Sequence, residues 1–143
     1  MKTLHLEIDY DFGFALYGLV SSCKDYKVAW ALNRLLDLNL IRQKELCYEM
    51  PDRQKLLISN FEHNDRYSVV RLFRNKALGT STLKKPFLLP DLKEYDYVLQ
   101  ITGALQQYLN PQELIGRMQR LTLIQYTKQF DPLTLKHKEH LLF

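Results

Sequence analysis

This sequence of 143 residues has little glycine, proline or cysteine, and each scarcity excludes a class of protein. It contains five glycines and five prolines, which argues against collagen-like, linker-type and low-complexity segments, and it shows no internal repeat. With 46% hydrophobic and 12% aromatic residues, its composition is that of an ordered globule. The length predicts a single domain, residues 1–143, that is large enough to bury a hydrophobic core.

The sequence also lacks the features of an exported or membrane protein. Its two cysteines, Cys23 and Cys47, have neither a CxxC spacing nor a second pair, so we expect both thiols to be reduced and buried. It has no apolar run of about 18 residues, and its first residues do not form the apolar core of a signal peptide. We therefore expect a soluble, cytoplasmic protein that does not associate with membranes.

Hydrophobic periodicity near the start of the chain predicts a hairpin and then a helix. Residues 4–9 alternate apolar with polar side chains, and residues 14–21 form a second short apolar run after Gly13. Ser22 and Asp25 have the spacing of a helix-capping pair, which predicts a helix over residues 24–38. Trp30 is interpreted as lying beside the apolar stripe of this helix, which predicts its burial against the sheet.

The middle of the chain predicts further strands. Residues 40–50 indicate a weak strand, and residues 55–61 and 67–73 indicate two strands joined by a turn at residues 62–66. Residues 77–86 have the composition of a loop.

The last third of the chain predicts a strand, a helix and a second strand. Residues 97–101 form the strongest strand pattern, and Asn110 followed by Pro111 marks the start of a helix over residues 111–121. Residues 123–126 then predict a strand, and residues 141–143 are expected to dock on the body. We predict an α+β fold with a mainly antiparallel, twisted sheet of about six strands, covered on one side by two main helices.

Candidate metal ligands do not form a convincing set in the sequence. His5, Glu7, Asp9 and Asp11 share one face of the first predicted strand, but positions two apart on a strand lie roughly 7 Å apart, too far to share a small ion. His63, His137 and His140 have no evident partners at ligand spacing. We therefore predict neither a metal nor another cofactor.

The net charge of +4 arises entirely in residues 61–143 and is concentrated in one segment without acids. Aromatic residues interleave with its cations, a combination by which some sheets bind single-stranded RNA. A solvated basic surface without a ligand is the simpler interpretation, because such patches commonly tune solubility. The segment, here called the basic block, contains Arg66, Arg71, Arg74, Lys76, Lys84 and Lys85, and all but Arg66 are candidate RNA contacts.

The stretch Leu89-Pro90-Asp91-Leu92-Lys93-Glu94-Tyr95-Asp96-Tyr97 resembles the motif that names the IPExxxVDY family of uncharacterised bacterial proteins. Pro90, Asp96 and Tyr97 match directly, whereas Leu89, Asp91 and Tyr95 stand where the family has Ile, Glu and Val. Residues 21–33 are similar to the family's Ser-Ser-x-x-Asp-Tyr-x-x-Ala-Trp-x-Leu-Asn helix, and residues 136–143 are similar to its basic, apolar-ended C-terminal segment. The resemblance implies an architecture and carries over no activity.

Three classes of function follow from these patterns. A non-catalytic interaction or assembly module with a protein partner ranks first, because the strong signals are architectural. RNA binding through the basic block ranks second. An enzyme with a general acid near Asp91 and Asp96 ranks third, since these carboxylates are more simply explained by bonds to backbone amides, with Tyr97 packed inward. The sequence leaves the oligomeric state open.

Overall fold

The structure is a computed structural model that describes residues 13–49, 54–79 and 86–143. A six-stranded antiparallel sheet has the strand order β2-β5-β6-β7-β1-β8, and β3 pairs with β4 in a separate two-stranded sheet. The predicted α+β class is thereby confirmed. The elements are β1 (Ala15–Val20), α1 (Asp25–Leu36), β2 (Ile41–Arg42), β3 (Leu46–Glu49), β4 (Lys55–Ile58), β5 (Asn60–Asn64), β6 (Ser68–Arg74), β7 (Tyr97–Gly103), α2 (Ala104–Tyr108), α3 (Pro111–Gln119) and β8 (Tyr126–Phe130).

Strand β7 is central, as the sequence predicted. It pairs with β6 on one side and β1 on the other, and its first five residues are buried. A strand buried on both faces reads as a continuous apolar run, which explains why this segment gave the strongest strand pattern. The last residue of the family-like motif, Tyr97, is also the first residue of this strand.

The helices cover one face of the sheet. Leu32 of α1 and Leu114 and Met118 of α3 are buried there against Leu99 and other inward residues of the sheet. Helix α3 begins as predicted, because the Asn110 side chain accepts hydrogen bonds from the backbone N–H groups of Gln112 and Glu113.

Helix α1 begins differently from the prediction. Instead of pairing with Ser22 in a capping box, Asp25 accepts hydrogen bonds from the Tyr26 backbone N–H at 2.7 Å and from the Ser59 hydroxyl at 2.6 Å. The helix is therefore fastened at its first turn to the segment between β4 and β5.

The other face of the sheet is covered as well, which the sequence analysis did not anticipate. Leu56 and Ile58 of β4, the loop around Leu88 and the C-terminal Leu141 pack there against Phe73 and other residues of the sheet. Docking of the C-terminal segment, predicted from its apolar residues, is confirmed by the burial of Leu141. The sheet therefore lies between two hydrophobic cores.

The strand-helix-strand unit at the end of the chain is split. β7 and β8 both pair with β1, each in the antiparallel sense, so they run parallel to one another with β1 between them. The second strand also lies later than predicted, at Tyr126–Phe130 rather than residues 123–126.

Two predicted strand boundaries are wrong. The run predicted as one strand at residues 55–61 is divided at Ser59 between β4, which pairs with β3, and β5, which pairs with β6. Residues 62–64 belong to β5, so the connecting turn is shorter than predicted. The strand predicted at residues 4–9 and the candidate ligands His5, Glu7, Asp9 and Asp11 lie outside the described residues.

The predicted burial of Trp30 is wrong, since 58% of its surface is exposed. Successive helix residues are about 100° apart, so Trp30 lies about 200° around the helix from both Val28 and Leu32. Both of these residues are fully buried, which leaves Trp30 opposite the buried face rather than beside it.

The two cysteines also differ from one another. Within the described residues both are free, in agreement with the prediction of unpaired thiols, but Cys47 is exposed and Cys23 is half-buried. The alternation of β3 explains this result, because Leu46 and Tyr48 pack against the core and Cys47 faces away. In the described part of the chain, no helix is long and apolar enough to span a membrane.

Candidate functional site

The family-like motif folds around a buried asparagine that sequence analysis did not single out. The Asn75 side chain donates to the carbonyls of Leu92 at 2.9 Å, Tyr95 at 3.2 Å and Leu89 at 3.3 Å. Its amide oxygen accepts from the Leu89 backbone N–H at 2.8 Å. Asn75 is fully buried, and its hydrogen bonds satisfy its own amide while connecting several backbone groups of this loop.

The backbone of Asn75 holds the same loop. Its N–H donates to the carbonyl of Asp96 at 2.9 Å, and its carbonyl accepts from the N–H of Leu88 at 2.7 Å. In the sequence, this role is indicated only by a polar residue that directly follows the last residue of β6.

The two motif carboxylates bind backbone amides, as we expected. Asp96 accepts from the N–H of Ser21 at 2.9 Å, which ties the start of β7 to the end of β1. Asp91 accepts from the N–H of Lys136 at 3.0 Å, which ties the motif loop to the C-terminal segment. Both carboxylates therefore act as connectors between distant parts of the chain.

The motif tyrosines are used in packing. Tyr97 is 3% exposed and donates its hydroxyl to the Cys23 carbonyl at 2.5 Å, in agreement with the predicted inward orientation. Burial, followed by the nearby charge of Asp25, raises the pKa of Tyr97 to about 12. The Tyr95 ring meets Phe130 edge-on, with 5.1 Å between ring centroids. At neutral pH Tyr97 is a protonated donor that is already engaged.

Two polar side chains in the cleft beside the motif are engaged in bonds within the protein. A cleft of about 370 Å³ beside the motif is lined by Cys23, Asp25, Arg74 and Tyr97, among others. The hydroxyl of Tyr97 is bonded to a backbone carbonyl, and Asp25 is bonded to Ser59 and lies 3.5 Å from Arg42. The Tyr97 hydroxyl and the Asp25 carboxylate are thus committed to internal bonds rather than directed at an empty position.

The cations of the basic block do not share one surface. Arg71 and Arg74 are three positions apart on β6, so their side chains leave opposite faces of the sheet. Lys76 follows the strand and is exposed, whereas Lys84 and Lys85 lie outside the described residues.

Arg71 is also occupied by internal contacts. Its Nε donates to Glu62 at 3.1 Å, and its guanidinium carbon lies 4.4 Å from the centroid of the Phe143 ring. Alternation along a strand puts Arg71 on one face with Val69 and Phe73, but the sequence does not show that Glu62 on the neighbouring strand would pair with it. A bound phosphate would have to displace this ion pair.

The most exposed apolar side chains on α1 form an aromatic surface, defined here by Tyr26 and Trp30. Tyr26 and Trp30 lie one turn apart on the outer side of the helix and are 54% and 58% exposed. The guanidinium of Arg34, one further turn along, lies 5.0 Å from the centroid of the Trp30 ring.

This surface is held rigidly by polar contacts between the helix and the edge strand. The Asn33 side chain accepts from the Leu40 backbone N–H at 2.7 Å and donates to the Leu40 carbonyl at 3.3 Å. Arg42 reaches Asp25 at 3.5 Å across the same junction. Exposed cations lie nearby, since Lys27 is on the same helix, Arg34 lies over the Trp30 ring and Arg42 reaches Asp25.

Comparison of the chain with known protein families, with curated proteins and with solved structures returned no match.

Proposed function

We propose that this protein is a non-catalytic interaction module that binds a protein partner through the aromatic surface of Tyr26 and Trp30. The observation that carries the proposal is the exposure of Trp30 on the side of α1 opposite the core. A tryptophan exposed there adds nothing to the core, and exposed apolar groups in contiguous patches mark interaction sites.

The chemistry of the surface favours a protein as its ligand. Tryptophan, tyrosine and arginine are the residue types that contribute most binding energy at protein interfaces. Because the hydrogen bonds between Asn33 and Leu40 hold helix and strand together, little conformational freedom would be lost on binding. The surrounding Lys27, Arg34 and Arg42 favour a partner whose apolar contact is bordered by acids.

Membership of the IPExxxVDY family and a cytoplasmic location belong to the same proposal. The first is supported by the motif residues, whose bonds to backbone amides fit an architectural role. The second is supported by the free Cys23 and Cys47.

The test is site-specific cross-linking in living cells. A photoreactive phenylalanine analogue replaces Trp30 in one variant and Tyr108 in the other, because Tyr108 is a matched aromatic residue that is 84% exposed on α2. We expect position 30 to give a discrete adduct with another protein. Arg34→Glu should reduce the yield of this adduct, and nuclease treatment should leave it intact.

Three outcomes would contradict the proposal. Equal cross-linking from both positions would show that the surface is not selective, and adducts that nuclease removes would favour RNA binding instead. The third is an adduct that contains only this chain, which would show self-assembly. In that case the mass of the purified protein in sedimentation would increase with concentration, and Trp30→Glu would abolish this increase.

A further inference from the structure

The C-terminal segment brings two imidazoles and a carboxylate together on a surface separate from the aromatic surface. The ligand atoms offered by His137, Glu139 and His140 all lie within 4.8 Å of one another. The sequence alone does not indicate a carboxylate partner for these histidines, because a His-x-x-His spacing does not show the local turn that brings Glu139 close to them. The side chain of Glu139 is exposed and both histidines are half-buried.

His140 is oriented as a metal-binding histidine usually is. Its Nδ1 lies 2.9 Å from the carbonyl oxygen of Leu88. A carbonyl only accepts hydrogen bonds, so in the neutral ring Nδ1 carries the proton and Nε2 keeps its lone pair. Metal-ligating histidines almost always donate their second ring nitrogen in this way, which fixes the tautomer and the ring orientation.

The backbone under this histidine is held at several points. The Tyr48 hydroxyl donates to the His140 carbonyl at 2.8 Å, and the Tyr48 and His140 ring centroids are 4.4 Å apart. The Gln100 side chain donates to the Leu141 carbonyl at 2.8 Å, and the Asp91 carboxylate holds Lys136. A ligand anchored in this way is presented in one position, which reduces the cost of assembling a site.

The other two ligands have the freedom needed to close on an ion. His137 Nδ1 lies 3.6 Å from Glu139 Oε1, close to the spacing of roughly 3.4 Å between ligands in a tetrahedral zinc site. The His137 ring stacks on the His140 ring, with 5.3 Å between their centroids. For all three residues to bind one ion, the half-exposed His137 ring and the exposed Glu139 side chain must therefore turn towards Nε2 of His140.

We propose that His137, Glu139 and His140 form a binding site for a divalent transition-metal ion, with Zn²⁺ as the best fit. Two neutral imidazoles and one carboxylate suit zinc and its neighbours, whereas Mg²⁺ and Ca²⁺ favour sites made of oxygen ligands. Three protein ligands leave the fourth tetrahedral position for water or for a group from another molecule.

The test is titration of the metal-free full chain with Zn²⁺ by isothermal calorimetry, repeated with Mg²⁺. We expect one Zn²⁺ per chain and no saturable Mg²⁺ binding. His137→Ala and Glu139→Gln should each weaken zinc binding more than about 10-fold, since loss of even outer-shell partners costs roughly 10- to 100-fold. His63→Ala is the matched control and should leave the affinity unchanged, because His63 bonds Asp65 and Asn39 elsewhere.

Two further measurements separate a built site from surface adsorption. Co²⁺ bound in place of Zn²⁺ should give the visible absorption of a four-coordinate ion, and the affinity for Zn²⁺ should depend on pH, because a metal competes with protons for its ligand atoms. Absence of saturable Zn²⁺ binding to the wild-type chain would overturn the proposal. So would unchanged affinity in both His137→Ala and Glu139→Gln, both of which alter solvent-accessible side chains and should leave the fold intact.

Discussion

The carboxylate of Asp91 accepts a hydrogen bond from the backbone N–H of Lys136, 45 positions later in the chain, at 3.0 Å. This bond gives the family-like motif a structural role, because it fastens the C-terminal segment over the hydrophobic core on the face of the sheet opposite the helices. Asp96 makes the equivalent connection to Ser21 at the other end of the motif. Asp91 and Asp96 thus both connect the motif to distant segments of the chain.

Asp91→Ala should loosen the C-terminal segment. Loss of a hydrogen bond to a charged acceptor that is partly exposed should lower the free energy of unfolding by about 1 kcal/mol. Hydrogen exchange should accelerate at residues 136–142 and stay unchanged in β7. Glu94→Ala is the control, because Glu94 is an exposed acid of the same loop; equal acceleration in both variants would argue against the clamp.

Asn75→Ala should be strongly destabilising. It would remove the hydrogen bonds that Asn75 supplies to the N–H of Leu89 and to the carbonyl of Tyr95, and each such group left unpaired in the interior costs roughly 1–3 kcal/mol. We expect the free energy of unfolding, measured in urea, to fall by about 3 kcal/mol or more. The exposed Asn64→Ala should change it by less than about 0.5 kcal/mol. A similar small loss in both variants would contradict the central role of Asn75.

Trp30→Ala should have little effect on stability despite the size of the side chain removed. Because Trp30 is exposed, the cost of roughly 3–5 kcal/mol that is typical of a buried aromatic does not apply. We expect a change within about 0.5 kcal/mol by urea denaturation. The tryptophan fluorescence of the wild-type protein should also be quenched readily by iodide, and a protected fluorophore would show that the ring is covered.

Two glycines should respond in opposite directions to alanine. Gly103 has φ of +96°, and a Cβ there would lie 2.3 Å from the Tyr67 carbonyl oxygen. Gly103→Ala should therefore be destabilising by several kcal/mol, because a strained backbone conformation alone costs on the order of 1–3 kcal/mol. Gly116 lies within α3, where no described atom lies within 4 Å of a Cβ. Gly116→Ala should raise the free energy of unfolding by about 0.5–1 kcal/mol. Thermal denaturation of both variants checks the pair.

Stability should fall steeply at alkaline pH. Burial raises the pKa of Tyr48 and of Tyr97 from 10.0 to about 12. The unfolded chain releases these protons first, so their contribution is fully present below pH 10 and is lost as pH rises towards 12, by about 1.4 kcal/mol per pH unit for each tyrosine. Tyr48→Phe should remove about half of this slope in urea titrations, and an unchanged slope would show that other groups cause it.

The sequence predicted elements whose signals are local. The Asn110 and Pro111 pair marked the start of α3 correctly because capping depends on neighbouring residues only. β7 was found because a strand buried on both faces is apolar at nearly every position, and Gln100 is the one polar residue among its first five. The bonds of Asp91 and Asp96 to backbone amides followed from the usual behaviour of short acids next to turns, although their partners could not be named.

Errors arose where one residue decides between two distant partners. Nothing local at Ser59 shows that the chain leaves one sheet and enters another, since Ile58 and Asn60 continue the same extended run. Trp30 was placed inside because its size suggested an anchor, although its angular position on α1 already separated it from Val28 and Leu32. Asn75 was overlooked because its partners lie in a loop that begins more than ten residues later.

The position of β1 has a consequence for how the chain reaches its folded state. β1 lies near the start of the chain, yet both strands beside it, β7 and β8, come from the last third. The sheet therefore cannot close around β1 until β8 has left the ribosome. Pairings between residues so far apart in sequence form slowly, so during synthesis β1 is an unprotected segment for which early contact with a chaperone would be useful.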